Sequence, residues 1–207
     1  MLVPGLIYLL SYIPFVGRES GLWDKMIANQ KYMFSYHANL DATHAYSSHW
    51  YEWPTMVRPI FYYSGIISDT TREGISAFGN PLVWWIGIPA FAYMVYLVFK
   101  KKDRIAMFIC IGYLAQYLPW MLVDRCTFIY HYFPSVPFVV LMIMYAALTL
   151  KDLLPEKRYY MALGIYALVA VALFALFYPV LSGQTVSIKY VDIFLRWMKS
   201  WVLIYGN

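Results

Sequence analysis

The sequence predicts an all-α, polytopic membrane protein with four full transmembrane helices and a shorter apolar segment ahead of them. Three observations carry that class. Hydrophobic residues make up 62% of the 207 and charged residues only 13%, with a mean hydropathy of +0.55, more apolar surface than one water-soluble core of this size can bury. Four runs, Pro81 to Phe99, Ile105 to Val123, Phe128 to Leu150 and Tyr159 to Leu181, each approach the ~20 residues a helix needs to cross ~30 Å of hydrocarbon. Aromatic residues reach 20%, with 8 Trp and 21 Tyr, and rings with one polar end favour the headgroup zone.

Taken in order, residues 1–16 are apolar but short, and are expected to be the end of a longer transmembrane helix. Residues 17–79 form an outer segment. Within it Leu22, Trp23, Met26, Ile27, Met33, Phe34 and Leu40 recur at spacings near three and four, a stripe that fits a helix lying on the membrane surface or one packed against the chain's own spans. Ser20 is the expected cap of that helix. Asn80 followed by Pro81 is a start signal for the first span, an amide side chain before a proline at the first helical position. Residues 80–181 hold the four spans, and 182–207 form a tail.

The formal charge of +5 is concentrated in two knots, Lys100, Lys101, Lys102 and Arg104, then Lys151, Lys157 and Arg158. Basic residues in short loops mark the cytoplasmic side. That places 17–79, the turn at Asp124 to Thr127 and the tail together on the extracytoplasmic side. Nucleic-acid binding is excluded, because the knots are short and flanked by spans. Cys110 and Cys126 fall roughly 24 Å apart along one helix, beyond disulfide reach.

Ionisable and imidazole groups near hydrocarbon are costly unless paired or hydrated, so they are candidates for function. Arg125 opens the third apolar run and His131 follows within it. Pro134 and Pro137 lack amide hydrogens, so the carbonyls of Tyr130 and Phe133 are expected to lose their helical partners. A polar pocket below the outer surface, or a kink made for packing, accounts for the pattern. His37, Asp41, His44 and His49 can be drawn as a metal site, but their spacing is wider than hydrolytic or structural zinc motifs use. Trp50 and Trp53, followed by Pro54, point to a shaped loop, and Arg58 is placed to meet an anion or Glu52. No glycine-rich phosphate loop, GxSxG, CxxC or HExxH motif occurs.

The stretches "ATHAYSSHWYEWPTMVRPIFYY", "GNPLVWWIGIPA" and "GYLAQYLPWMLVDRCTFIYHYFPSVPF" resemble the C-terminal four-span region of the protein O-mannosyltransferases, bacterial members above all. The resemblance implies a GT-C type membrane glycosyltransferase that takes mannose from a polyprenyl or dolichyl phosphate and places it on Ser or Thr of secreted proteins, with inversion. It implies no nucleotide and no cofactor beyond that sugar donor. The partners it implies are membrane lipid, the polyprenyl-phosphate-sugar donor and the secreted protein acceptor. The family's general base is an acidic residue of an Asp-Glu pair in an early extracytoplasmic loop, and no Asp-Glu dipeptide occurs in these 207 residues. The chain is thereby expected to be the distal portion of such an enzyme, inactive alone. The matching lipid-phosphate and substrate positions are His44, Trp53, Arg58, Arg125, Tyr130, His131 and Tyr132. One departure is Ala45, where the family stretch "THPYSS" has proline. A related transferase of another lipid-linked sugar and a non-catalytic multi-span subunit are the alternatives.

Overall fold

Each membrane span begins at a local stop or start signal. This computed structural model describes residues 2–16, 21–39 and 42–204. Asn80 accepts a hydrogen bond from the Leu82 amide at 3.1 Å, and Pro81 takes the first helical position. From there α3 (Pro81–Tyr96) continues through one π-helical turn, Leu97–Lys101. Lys102 turns the chain with a left-handed φ of 56°. Asp103 then caps α4 (Arg104–Tyr117), accepting from the amides of Ile105 and Ala106 at 2.9 and 3.0 Å. The third span starts as a 3-10 helix, Ile129–Ser135, and becomes α5 (Val136–Thr149). The fourth is α6 (Glu156–Ser182). Among the described residues four helices are long and apolar enough to cross a membrane: Pro81–Lys101, Arg104–Leu122, Ile129–Thr149 and Glu156–Ser182.

The 3-10 start corrects one expectation. Pro137 falls in the first turn of α5, where its missing amide is not needed, and the Val136 amide donates to the Phe133 carbonyl. The tighter i to i+3 bonding thus supplies Phe133 with a partner that an α-helix would have denied it.

Helices α3, α4 and α5 pack through Ala90, Met94, Ala106, Val139 and Met142, all buried. Gly87 allows the close approach of α3 to α5, because a Cβ there would strike Val139. At one end Tyr145 donates to Asp103 at 2.7 Å, tying α5 to the α3–α4 turn. Helix α6 buries only Tyr159, Phe177 and Val180 and exposes apolar residues such as Leu168 and Val171, as a lipid-facing helix does.

The helical class holds, with an addition. At the opposite end of the spans, β1 (Ile60–Ile66), β2 (Thr71–Ala77) and β3 (Val186–Ser187) form an antiparallel sheet in the order β1-β2-β3, with a bulge between Phe61 and Tyr63. The segment after it is no loose tail. Trp201, Leu203 and Ile204 are fully buried, the Trp201 indole donates to the Met56 carbonyl at 2.7 Å, and Ser76 and Ser64 donate to the carbonyls of Val202 and Ile204 at 3.1 and 2.8 Å. A 3-10 helix, Trp50–Thr55, closed by Met56 at a left-handed φ of 54°, completes this layer.

Residues 1–42 form a separate unit of two helices, α1 (Leu2–Leu10) and α2 (Leu22–Ala38). The Tyr8 and Tyr12 hydroxyls share a hydrogen bond of 2.9 Å, Asn29 donates to Tyr12 at 2.8 Å, and Gln30 donates to Tyr8. The α2 stripe is present, and none of its residues is buried. Its cap is Gly21, whose amide donates to Asp24 at 3.3 Å; Ser20 and Leu40 lie outside the described residues.

Candidate functional site

Arg125 stands on the turn between the second and third spans, residues 123–128, and two reciprocal hydrogen bonds fix that turn. The Ser48 amide donates to the Thr127 carbonyl at 2.9 Å, and the Thr127 hydroxyl donates to the Ser48 carbonyl at 2.8 Å. Both residues are buried. The Ser48 hydroxyl in turn accepts from the Trp53 indole at 3.0 Å. A cavity of about 290 Å³ opens beside this clamp, lined by Ser47, His49, Trp50, Asp124, Arg125 and Cys126 among others. No group among the described residues accepts a hydrogen bond from Arg125 or pairs with it as an ion. Its charge is therefore available to a ligand.

His131 is the hub of an aromatic cluster. Its ring lies 4.3 Å from Trp120, 4.4 Å from Tyr130 and 5.9 Å from Trp53, centroid to centroid, and Arg125 is near enough for its charge to act on it. The Phe128 amide donates to His131 Nδ1 at 3.0 Å. Nδ1 also lies 2.9 Å from the Phe128 carbonyl; the tautomer that accepts from the amide carries its proton on Nε2 and has a donor to offer, and the one that donates to the carbonyl leaves Nε2 an acceptor. His44 joins the cluster through Phe128, at 5.1 Å edge to face. His44 also accepts from the Tyr46 amide at 3.1 Å, and Tyr46 meets Phe61 of β1 at 5.7 Å.

The seven candidate residues thus divide. Arg125 lines the cavity, while His131 and the partly exposed Tyr130, 4.4 Å apart ring to ring, are not among its lining residues. Trp53, fully buried, and Tyr132, nearly so, belong to the core; Tyr132 shares a 2.9 Å hydrogen bond with Tyr113 and packs edge-on against Trp84 at 4.9 Å. Arg58 donates to the Ala45 carbonyl at 3.0 Å, and so braces the loop that carries His44. Glu52 accepts from the His49 amide at 2.6 Å and is not Arg58's partner. Sequence reasoning missed Ser48, Asp124 and Thr127, because a hydroxyl–carbonyl exchange has no characteristic spacing.

Among the described residues no three His, Cys, Asp or Glu side chains form a group that could hold a metal ion; Asp41 lies outside them. Both cysteines are free.

Residues 22–201 match the family model described as the C-terminal four-transmembrane region of protein O-mannosyltransferase. The chain belongs to that family. Among curated relatives, the polyprenol-phosphate-mannose–protein mannosyltransferase of Mycobacterium tuberculosis is 26% identical over 243 residues, covering 97% of this chain and 45% of the relative. The enzyme of the same name from Corynebacterium glutamicum is 27% identical over 184 residues, covering 82% of this chain and 35% of the relative. The chain thus spans about half the length, or less, of the curated O-mannosyltransferases it matches. The fold is shared with a Saccharomyces cerevisiae protein O-mannosyltransferase complex, Pmt1-Pmt2 bound to its sugar donor, at a TM-score of 0.74 and 20% identity, covering 90% of this chain and 28% of that one. All seven candidate residues fall inside the stretch matched by the O-mannosyltransferase family.

Proposed function

We propose that this chain is the distal, four-span portion of an enzyme that moves mannose from a polyprenyl phosphate to Ser or Thr of secreted proteins, and that it supplies the lipid-phosphate pocket and the outer rim. The observation that carries this reading is Arg125, an arginine without a partner among the described residues, on a clamped turn beside a cavity, in a chain of this family. As the sugar leaves its carrier, negative charge grows on the phosphate oxygens. A fixed guanidinium meets two of them at once, and His131, in the tautomer that carries its proton on Nε2, adds a third contact. Tyr130 and Trp53 pack against the His131 ring, Tyr132 anchors the same segment in the core against Trp84, and Arg58 braces the loop that carries His44.

The general base comes from a segment outside these 207 residues, which contain no Asp-Glu pair. The reading needs no metal or organic cofactor, because the leaving phosphate finds its counter-charge in Arg125. The layer that holds β1–β3 faces the extracytoplasmic side, where secreted acceptors arrive.

The test is Arg125→Lys in an enzyme that joins this chain to the segment bearing the base. Lysine keeps the charge but lacks the planar fork. Losing one charge-assisted contact costs about 2–3 kcal/mol, roughly a hundredfold in rate. Transfer at the full rate by a well-inserted Arg125→Lys enzyme would return Arg125 to a mere interfacial anchor.

A further inference from the structure

The outer layer has an open edge. In the order β1-β2-β3 the strand β1 pairs on one side only. It is seven residues long, IFYYSGI, and carries neither a charge nor a proline. Charge and proline are two of the devices by which exposed edges are usually blunted, a bulge being another. Its one irregularity is the bulge at Tyr62, which leaves Tyr63 to Ile66 in regular register with Ile75 to Arg72.

The register shows which backbone groups are free. The Ile67 amide donates to the Thr71 carbonyl at 3.4 Å, just beyond the Ile66–Arg72 pair. Hydrogen-bonded and non-bonded pairs alternate in an antiparallel ladder. Gly65 and Tyr63 therefore turn their amides and carbonyls toward β2, and Ser64 and Ile66 turn theirs outward. Among the described residues none supplies these outward groups with a backbone partner. The Ser64 hydroxyl, by contrast, is already engaged with Ile204 on the sheet's face.

The edge leads to the site. Phe61 meets Tyr46, Tyr46 meets His44, and His44 meets Phe128 beside His131. Tyr62, the bulged residue, lies in the neighbourhood of Tyr130.

We propose that the β1 edge binds the acceptor polypeptide as an added antiparallel or parallel strand, delivering its Ser or Thr toward Arg125 and His131. A ladder of bare amides and carbonyls fits one kind of occupant, an extended chain, and backbone pairing is indifferent to side-chain identity. Such a surface suits an enzyme that accepts many different secreted sequences, provided that they are extended. Naming that chain as an acceptor rests on the mannosyltransferase reading; the edge itself does not.

The probe is a fluorescent, uncharged, Thr-containing peptide of about ten residues, with a twin N-methylated at alternate amides, titrated against this chain in lipid nanodiscs. Strand addition predicts that N-methylation weakens binding by about tenfold, since each lost backbone bond contributes about 1 kcal/mol. Ile66→Pro should cause a similar loss, because proline is tolerated on an edge but donates nothing. Ile66→Thr should bind as the wild type does. Equal binding of the two peptides, or no peptide binding, would overturn the proposal even if Ile66→Pro failed to fold. A concentration-dependent dimer that Ile66→Pro abolishes and peptide does not disturb would assign the edge to a second copy instead. Transfer measured on the same peptides separates the two readings. Strand-dependent binding without mannose transfer in the joined enzyme would sink the mannosyltransferase reading alone, whereas transfer with an unchanged KM in Ile66→Pro would sink the edge alone.

Discussion

Ser48 and Thr127, 79 residues apart, exchange two hydrogen bonds and are both buried. They join the Trp50–Thr55 helix to the turn that carries Arg125. Thr127→Val keeps the shape but removes the hydroxyl and leaves the Ser48 carbonyl buried with one partner fewer, a cost of about 1–3 kcal/mol. Thr127→Ser retains the bond. Thermal unfolding in detergent is expected to show a clear loss for valine and a small one for serine.

His131→Ala removes both the acceptor for the Phe128 amide and the ring that Trp120 and Trp53 flank. In the joined enzyme it is expected to lower turnover about tenfold or more, in line with the loss of one positioned donor. Arg72 is the control. It lies in β2 and donates to the Thr71 carbonyl at 3.1 Å and to the Ser68 carbonyl. Arg72→Ala should leave the rate near that of the wild type.

Asp103 gives the fold a dependence on acid. Its carboxylate accepts first from the Ala106 amide and then from Tyr145, and these bonds hold its pKa below the usual carboxylate value. A depressed native pKa means stability that is present above the unfolded pKa and is lost as pH falls through the native one. The unfolding midpoint should therefore drop as the pH falls below the unfolded value of 3.8, and the drop should be smaller in Asp103→Asn, which caps without titrating. An identical pH profile for the two proteins would show that the capping bond does not survive in the membrane-inserted chain.

Orientation can be read by labelling. With Cys110 and Cys126 replaced, Ser47→Cys at the cavity should react with an impermeant maleimide added outside intact cells, and Lys101→Cys should react only after permeabilisation. The opposite pattern would turn the protein over and remove the acceptor from the side where β1 lies.

The spans were legible because hydropathy, the Asn80–Pro81 start and the two basic knots all act within a few residues of one another. The convergence of Arg125, His131 and His44 was legible too, through topology: an even number of crossings returns distant segments to one side. The sheet was not. Ile60–Ile66 has the composition of a strand, yet its tyrosines also suit a membrane interface, and nothing local tells a ladder from a belt. Nor did the run from Thr185 to Ile204 announce that Trp201, Leu203 and Ile204 would be buried; that depends on Met56, Ser64 and Ser76, more than 120 residues away. The Phe133 carbonyl, behind Pro137, was misjudged for another reason: α-helical bonding would leave it without a partner, and the chain adopts a 3-10 turn there instead.

The bond from Trp201 to Met56 closes a loop of 145 residues. At a synthesis rate of ~5–20 residues per second, Met56 leaves the ribosome roughly 7–30 s before its partner exists. All four spans must enter the bilayer in that interval, and the outer layer waits half-built, with the face that Ile204 will cover still bare. Biogenesis of this protein is thus ordered from the membrane outward: its sheet is the last part to set, and a ribosome stalled inside α6 would leave at most three complete spans with no finished surface above them.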